Sequence, residues 1–157
     1  MIRTALILAS FALCQAAAAQ ADTDSTALFR YAYFGEDWTV TLDEPVAVPS
    51  YLLESGAVAE VKSGVYRLGF YQSFDYAAVP IVVTITADSD DLAVSLRFDY
   101  GEEYDFDHER RSYEETLGTP ASSDDNTVVW EDAVTHFKLV RGVGGNSYSV
   151  LQTRRGR

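Results

Sequence analysis

Six acidic residues, Asp99, Glu102, Glu103, Asp105, Asp107 and Glu109, fall within eleven positions of one another. Hard carboxylate oxygens gathered on one loop are the ligands that calcium uses. An EF-hand loop would alternate aspartate or asparagine, then place a glycine and a distant glutamate, and this segment has no such order. The expectation is therefore a solvated acidic surface with no cofactor, and calcium is the alternative. Arg110 and Arg111 follow directly and can neutralise part of the run.

A second group combines aromatic and acidic side chains. Tyr71, Phe74, Asp75 and Tyr76 stand at a strand end and in the loop before Pro80. Tyrosine with acid at a loop tip is a common composition of protein interfaces. These four, with Glu102, Glu103, Asp105 and Asp107, form the candidate binding set. Trp38, Tyr71, Phe74 and Tyr76 would also suit stacking on sugar rings, and paired carboxylates serve glycosidases. The chain offers many acids and no feature that selects two of them.

Other catalytic chemistry lacks its residues. His108 and His136 are the only histidines, and neither has a histidine or cysteine at ligand spacing, so no zinc site is expected from this chain. There is no Gly-x-Ser-x-Gly elbow. Gly142-Val143-Gly144-Gly145 lacks the lysine and hydroxyl residue of a phosphate loop and reads as a hairpin connection. His136 sits beside Phe137 with Lys138 on its own face, which predicts a partly covered position.

The elements that must carry these residues are mainly strands. Leu92, Val94, Leu96, Phe98 and Tyr100 alternate with Ala93, Ser95, Arg97 and Asp99, the pattern of a half-buried antiparallel strand. Ile81, Val83 and Ile85 alternate just upstream, and Asp88, Ser89, Asp90 and Asp91 supply turn chemistry between the two, which predicts a hairpin. Further strands are expected at 28–34, 38–42, 57–61, 65–71, 127–131, 135–141 and 147–153, with the last two paired across the glycine loop. The stripes Phe29, Tyr31, Tyr33 and Tyr66, Leu68, Phe70 are expected in the core.

Residues 107–117 form the one predicted helix, capped by Asp107 and ended by Gly118. The polar segment 119–126 reads as a mobile loop. The expected fold is all-β, an antiparallel sandwich of about eight or nine short strands with one short helix; a small barrel is the alternative.

Two segments resemble the bacterial pre-peptidase C-terminal domain, a small secreted β-sandwich appended to exported enzymes. One is Val82-Val83-Thr84-Ile85-Thr86 leading through acidic turn residues to Leu92-Ala93-Val94-Ser95-Leu96. The other is Phe137-Lys138-Leu139-Val140-Arg141 leading through the glycine loop to Ser147-Tyr148-Ser149-Val150-Leu151. The resemblance spans about half of the chain beyond residue 19 and lacks the family's aspartate-leucine pairs and glycine-tyrosine signature. It implies a sandwich and nothing about activity.

The chain opens with Arg3, an apolar stretch from Thr4 to Leu13 and the small-residue run Ala16–Ala19, the three parts of a secretory signal peptide. Cleavage is expected after Ala19 or Ala21, which removes Cys14, the only cysteine. Phe11-Ala12-Leu13 before it lacks the small residue that lipidation requires directly ahead of the cysteine. A single domain over 20–153 and a basic tail, 154–157, remain.

Loss of Arg3 takes the formal charge from -12 to -13. Such a body repels phosphate backbones and anionic head groups, so nucleic acid is not an expected partner. No later segment is apolar over the length of a membrane span. The functional expectation is a periplasmic or secreted, non-catalytic binding domain for a basic protein, as an immunity protein or an inhibitor would be. A small periplasmic hydrolase or ligand-binding barrel with an acidic or aromatic cleft is the alternative.

Overall fold

Alternating apolar residues bury one face of the central strands. The computed structural model describes residues 31–34, 38–74, 77–101, 105–143 and 147–154, without the side chains of Tyr31, Tyr33 and residues 70–79. Its strands are β1 (Tyr31–Tyr33), β2 (Thr39–Thr41), β3 (Val58–Lys62), β4 (Val65–Phe74), β5 (Ala77–Ala87), β6 (Ala93–Tyr100), β7 (Ser122–Ser123), β8 (Thr127–Glu131), β9 (Thr135–Arg141) and β10 (Tyr148–Arg154). Two helices join them, α1 (Ser50–Glu54) and α2 (Phe106–Leu117). None of the described helices is long and apolar enough to cross a membrane.

The fold is all-β and antiparallel, as expected. Eight strands form one sheet in the order β3-β4-β5-β6-β10-β9-β8-β7, and β1 and β2 form a separate pair. Two four-strand meanders thus meet at the β6–β10 seam, and α2 links the end of the first to the start of the second. The barrel alternative does not hold: β3 and β7 stand at opposite edges and do not pair, so the sheet stays open.

Both sheets share one core. Ile81, Val83 and Ile85 of β5, Leu96 and Phe98 of β6, Phe137 and Leu139 of β9, and Val128 and Trp130 of β8 are buried on the inner face. Ala32, Trp38, Val40 and Leu42 from the two-stranded sheet, Leu52 of α1 and Phe106 of α2 cover them. The expected pairing of β9 with β10 is present over seven rungs, from Tyr148↔Arg141 to Arg154↔Thr135. Tyr66 and Leu68 are half-buried against the same core, while the side chains of Phe29, Tyr31, Tyr33 and Phe70 lie outside the described residues.

Three local expectations need correction. The alternation through Leu92 and Val94 breaks phase, because the register shifts between Thr86↔Ser95 and Ala87↔Ala93. The extra residue, Val94, makes a bulge, so Ala93 turns inward and is fully buried while Val94 is only half-buried. Asp105, and not Asp107, caps α2: its Oδ1 accepts the backbone N–H of Asp107 at 2.9 Å and of His108 at 3.2 Å. Fully buried Phe106 then opens the helix, and Gly118 ends it at φ 78° as anticipated.

The segment read as a loop at 119–126 holds the edge strand β7, paired as Ser122↔Val129 and Ser123↔Val128. Asp124 closes its turn by accepting the N–H groups of Asn126 and Thr127, both at 2.7 Å. The β5–β6 turn matches its aspartate signature, with Asp88 Oδ1 accepting from Asp90 and Leu92. The short helix α1 had no signal beyond its start after Pro49.

Candidate site at one end of the sheet

The β4–β5 ladder runs without a break from Val65↔Thr86 to Phe74↔Ala77. The neighbouring ladders end sooner, β5–β6 at Ile81↔Tyr100 and β3–β4 at Val58↔Leu68. Residues 71–74 and 77–80 therefore continue alone as a two-stranded ribbon of four rungs, about 13 Å long at roughly 3.3 Å per residue. Pro80, opposite Tyr71, is the first β5 residue past the β6 ladder, where a missing N–H removes no bond to β6.

The sequence read Tyr71 and Phe74 as a strand end and loop; both belong to this ribbon. Asp75 and Tyr76 lie outside the described residues, as do Glu102 and Glu103. In chain order 75–76 follow Phe74 of β4, and 102–104 follow Gly101 after β6. The β9–β10 connection opens there too, closed by the Gly142 N–H donating to the Ser147 carbonyl at 2.7 Å. The described ends of β4, β6 and β9 thus lie at one end of the sheet.

Asp105 and Asp107 are engaged in local structure. Bonds from the helix N–H groups, the His108 amide first, hold the Asp105 carboxyl below the usual aspartate range. Asp107 pairs with Arg141 at 2.6 Å. The same guanidinium lies 4.1 Å from the Phe106 ring centroid, a cation–π contact, and its Nε donates to the Asp125 carbonyl at 3.1 Å. Arg141 so ties the first turn of α2 to the end of β9 and the β7–β8 turn.

Behind this contact, Tyr100 and Tyr148 stack with centroids 4.5 Å apart and planes at 21°. Burial raises the pKa of the Glu109 carboxyl, with His108 and a hydrogen bond from Tyr148 opposing the shift. Burial, with help from Glu109, also pushes the Tyr113 phenol up. Tyr113 packs on Phe137 at 5.0 Å and Trp130 at 6.0 Å, and Trp130 Nε1 donates to the Gly118 carbonyl at 3.0 Å. Both ends of α2 are therefore fastened to the sheet.

Arg141, Tyr148 and Glu109 are contributors that the candidate binding set omitted. A signal for Arg141 existed: in Phe137-x-Leu139-x-Arg141 it takes an inward position at a strand end, where a cation needs a partner. Arg110 pairs within the helix with Glu114 at 2.9 Å. His136 is half-buried, with Nδ1 3.1 Å from Glu131 Oε1. Among the described residues no group of three or more His, Cys, Asp or Glu is placed to hold a metal ion.

Comparison with protein-family models, with curated proteins and with solved structures finds no match for this chain.

Proposed function

We propose that this chain is an exported, non-catalytic binding domain that engages a partner with a basic surface through the ribbon end of the sheet. The observation that carries this reading is the β4–β5 ribbon, which projects past its neighbours at the end where the acidic β6–α2 segment begins. A projecting ribbon reaches a partner with little backbone to reorder, and Tyr71 and Phe74 lie on it. The formal charge, -12 for the whole chain and -13 without Arg3, draws a cationic partner from a distance.

Two acids of the candidate binding set, Asp105 and Asp107, serve as helix cap and ion-pair partner. Export follows from the cationic, apolar and small-residue parts of the first nineteen positions. The test is affinity capture from a periplasmic extract at low and high salt, with wild type and a Phe74→Ser/Tyr76→Ser variant whose circular dichroism matches wild type. A basic protein held at low salt, released at high salt and lost with the variant supports the reading. Capture of nothing, or of the same protein by the variant, overturns it.

A further inference from the structure

One cross-strand rung on the sheet face away from the core runs through all eight strands, Ala59↔Arg67↔Thr84↔Arg97↔Leu151↔Lys138↔Val129↔Ser122, with Lys138 half-buried and Val129 buried. It holds three cations and no acid, in a chain with 24 acids against 12 lysines and arginines. Arg67, Arg97 and Lys138 stand two strands apart in each case, about 10 Å at roughly 4.8 Å per strand. The described covering elements, β1–β2, α1 and α2, contribute to the core on the opposite face.

Arg97 is pre-ordered. Its Nε donates to Asp99 Oδ1 at 2.8 Å and its Nη2 to Ser149 Oγ at 3.3 Å, while Ser149 Oγ donates to the same carboxylate oxygen at 2.6 Å. Arg67 and Lys138 make no ion pair with another described residue. Hydroxyl residues Ser95, Ser149 and Thr153 flank the row, together with two acids that have local partners, Asp99 on Arg97 and Glu131 on His136.

We propose that this face binds an extended anionic polysaccharide, a 1,4-linked uronate chain laid across the strands with carboxylates on Arg67, Arg97 and Lys138. Charge complementarity selects an anion, and spacing selects its class. A nucleic-acid strand carries a charge every ~3.4 Å and would set most of its phosphates against an acidic body. An extended peptide repeats its same-side residues about every 7 Å, and a sheet face offers it no free backbone groups to pair with. A uronate chain with alternating ring orientation presents one carboxylate per two sugars to a given side, the wide spacing that the row requires. Its hydroxyls match the serine and threonine groups between the cations.

Affinity electrophoresis of the whole chain tests this with polymannuronate in the gel, and with neutral mannan, polyglutamate and single-stranded DNA as comparison polymers. Retardation by polymannuronate alone is expected. Arg67→Ser/Lys138→Ser should weaken it about tenfold, the order for losing two exposed charge contacts, and Arg67→Lys/Lys138→Arg should retain it. No retardation, equal retardation by polyglutamate or DNA, or unchanged binding by the serine variant overturns the proposal. The ribbon lies outside this row, so partner capture through Phe74 and Tyr76 is read independently.

Discussion

Arg154, the last residue of β10, places Nη2 3.0 Å from Oδ2 of Asp88 in the β5–β6 turn. Its Nη1 reaches Asp43 Oδ1 at 3.1 Å, just beyond β2, where the backbone is left-handed at φ 67°. One guanidinium thus joins the two-stranded sheet, the β5–β6 turn and the end of the chain's last strand. Residues separated by more than a hundred positions meet at it.

This contact has a pH signature. Backbone bonds from Asp90 and Leu92, with Arg154, hold the Asp88 carboxyl below its usual value of 3.8. A carboxyl depressed in the fold contributes stability above its unfolded pKa, and that contribution is lost as pH falls through the lower folded value. Arg154→Gln should lower the melting temperature by a constant amount from pH 7 to about pH 5, with the gap narrowing below about pH 4. Thermal melts of both proteins over that range check it; a gap that widens in acid would contradict the assignment.

Glu109 should behave in the opposite sense. Burial raises its carboxyl pKa, so the fold disfavours the ionised form; the penalty is absent below the unfolded pKa and sets in as pH rises through the folded value. Glu109→Gln keeps an acceptor for Tyr148 and removes the buried charge. The variant should melt above wild type at pH 7 and level with it at pH 4. Equal melting temperatures at both values would show that water reaches the carboxylate fully.

Burial on one face only predicts an asymmetric response to truncation. Phe137 is 2% exposed and packs against Tyr113 and Trp130, so Phe137→Ala should cost about 3–5 kcal/mol. Thr84 lies on the open face, and Thr84→Ala should stay within about 0.5 kcal/mol. Urea denaturation measures both. A large cost at Thr84 would mean that another layer covers the open face.

The acidic segment gives a prediction about calcium. Asp105 is bound to helix amides and Asp107 to Arg141, so millimolar calcium should change the melting temperature no more than magnesium or sodium chloride at matched ionic strength. Asp105→Ala should lower the melting temperature more than Asp105→Asn, since asparagine caps about as well as aspartate. A calcium-specific rise that disappears in Asp105→Asn/Asp107→Asn would instead establish a site.

Local chemistry was readable from the sequence wherever it depends on neighbours in the chain. Period-two alternation placed Leu96 and Phe98 on a buried face, aspartate chemistry placed Asp88 in its turn, and glycine placed Gly118 at the helix end, because side-chain direction, Asx bonding and positive φ act over a few residues. Asp105 was missed as the cap for a local reason, since a buried Phe106 starts the helix one residue before the polar stretch 107–117.

Strand order, ladder length and phase were not readable in that way. The bulge at Val94 depends on the register with β5, and the ribbon exists only because β4 and β5 outrun their neighbours. Composition alone determined that the chain is acidic, a sum over residues that is indifferent to position. Only tertiary pairing decided that Arg67, Arg97 and Lys138 share a rung free of acid. Their placement is set by cross-strand register among residues 30 to 71 positions apart, which long-range contacts fix and no local pattern encodes.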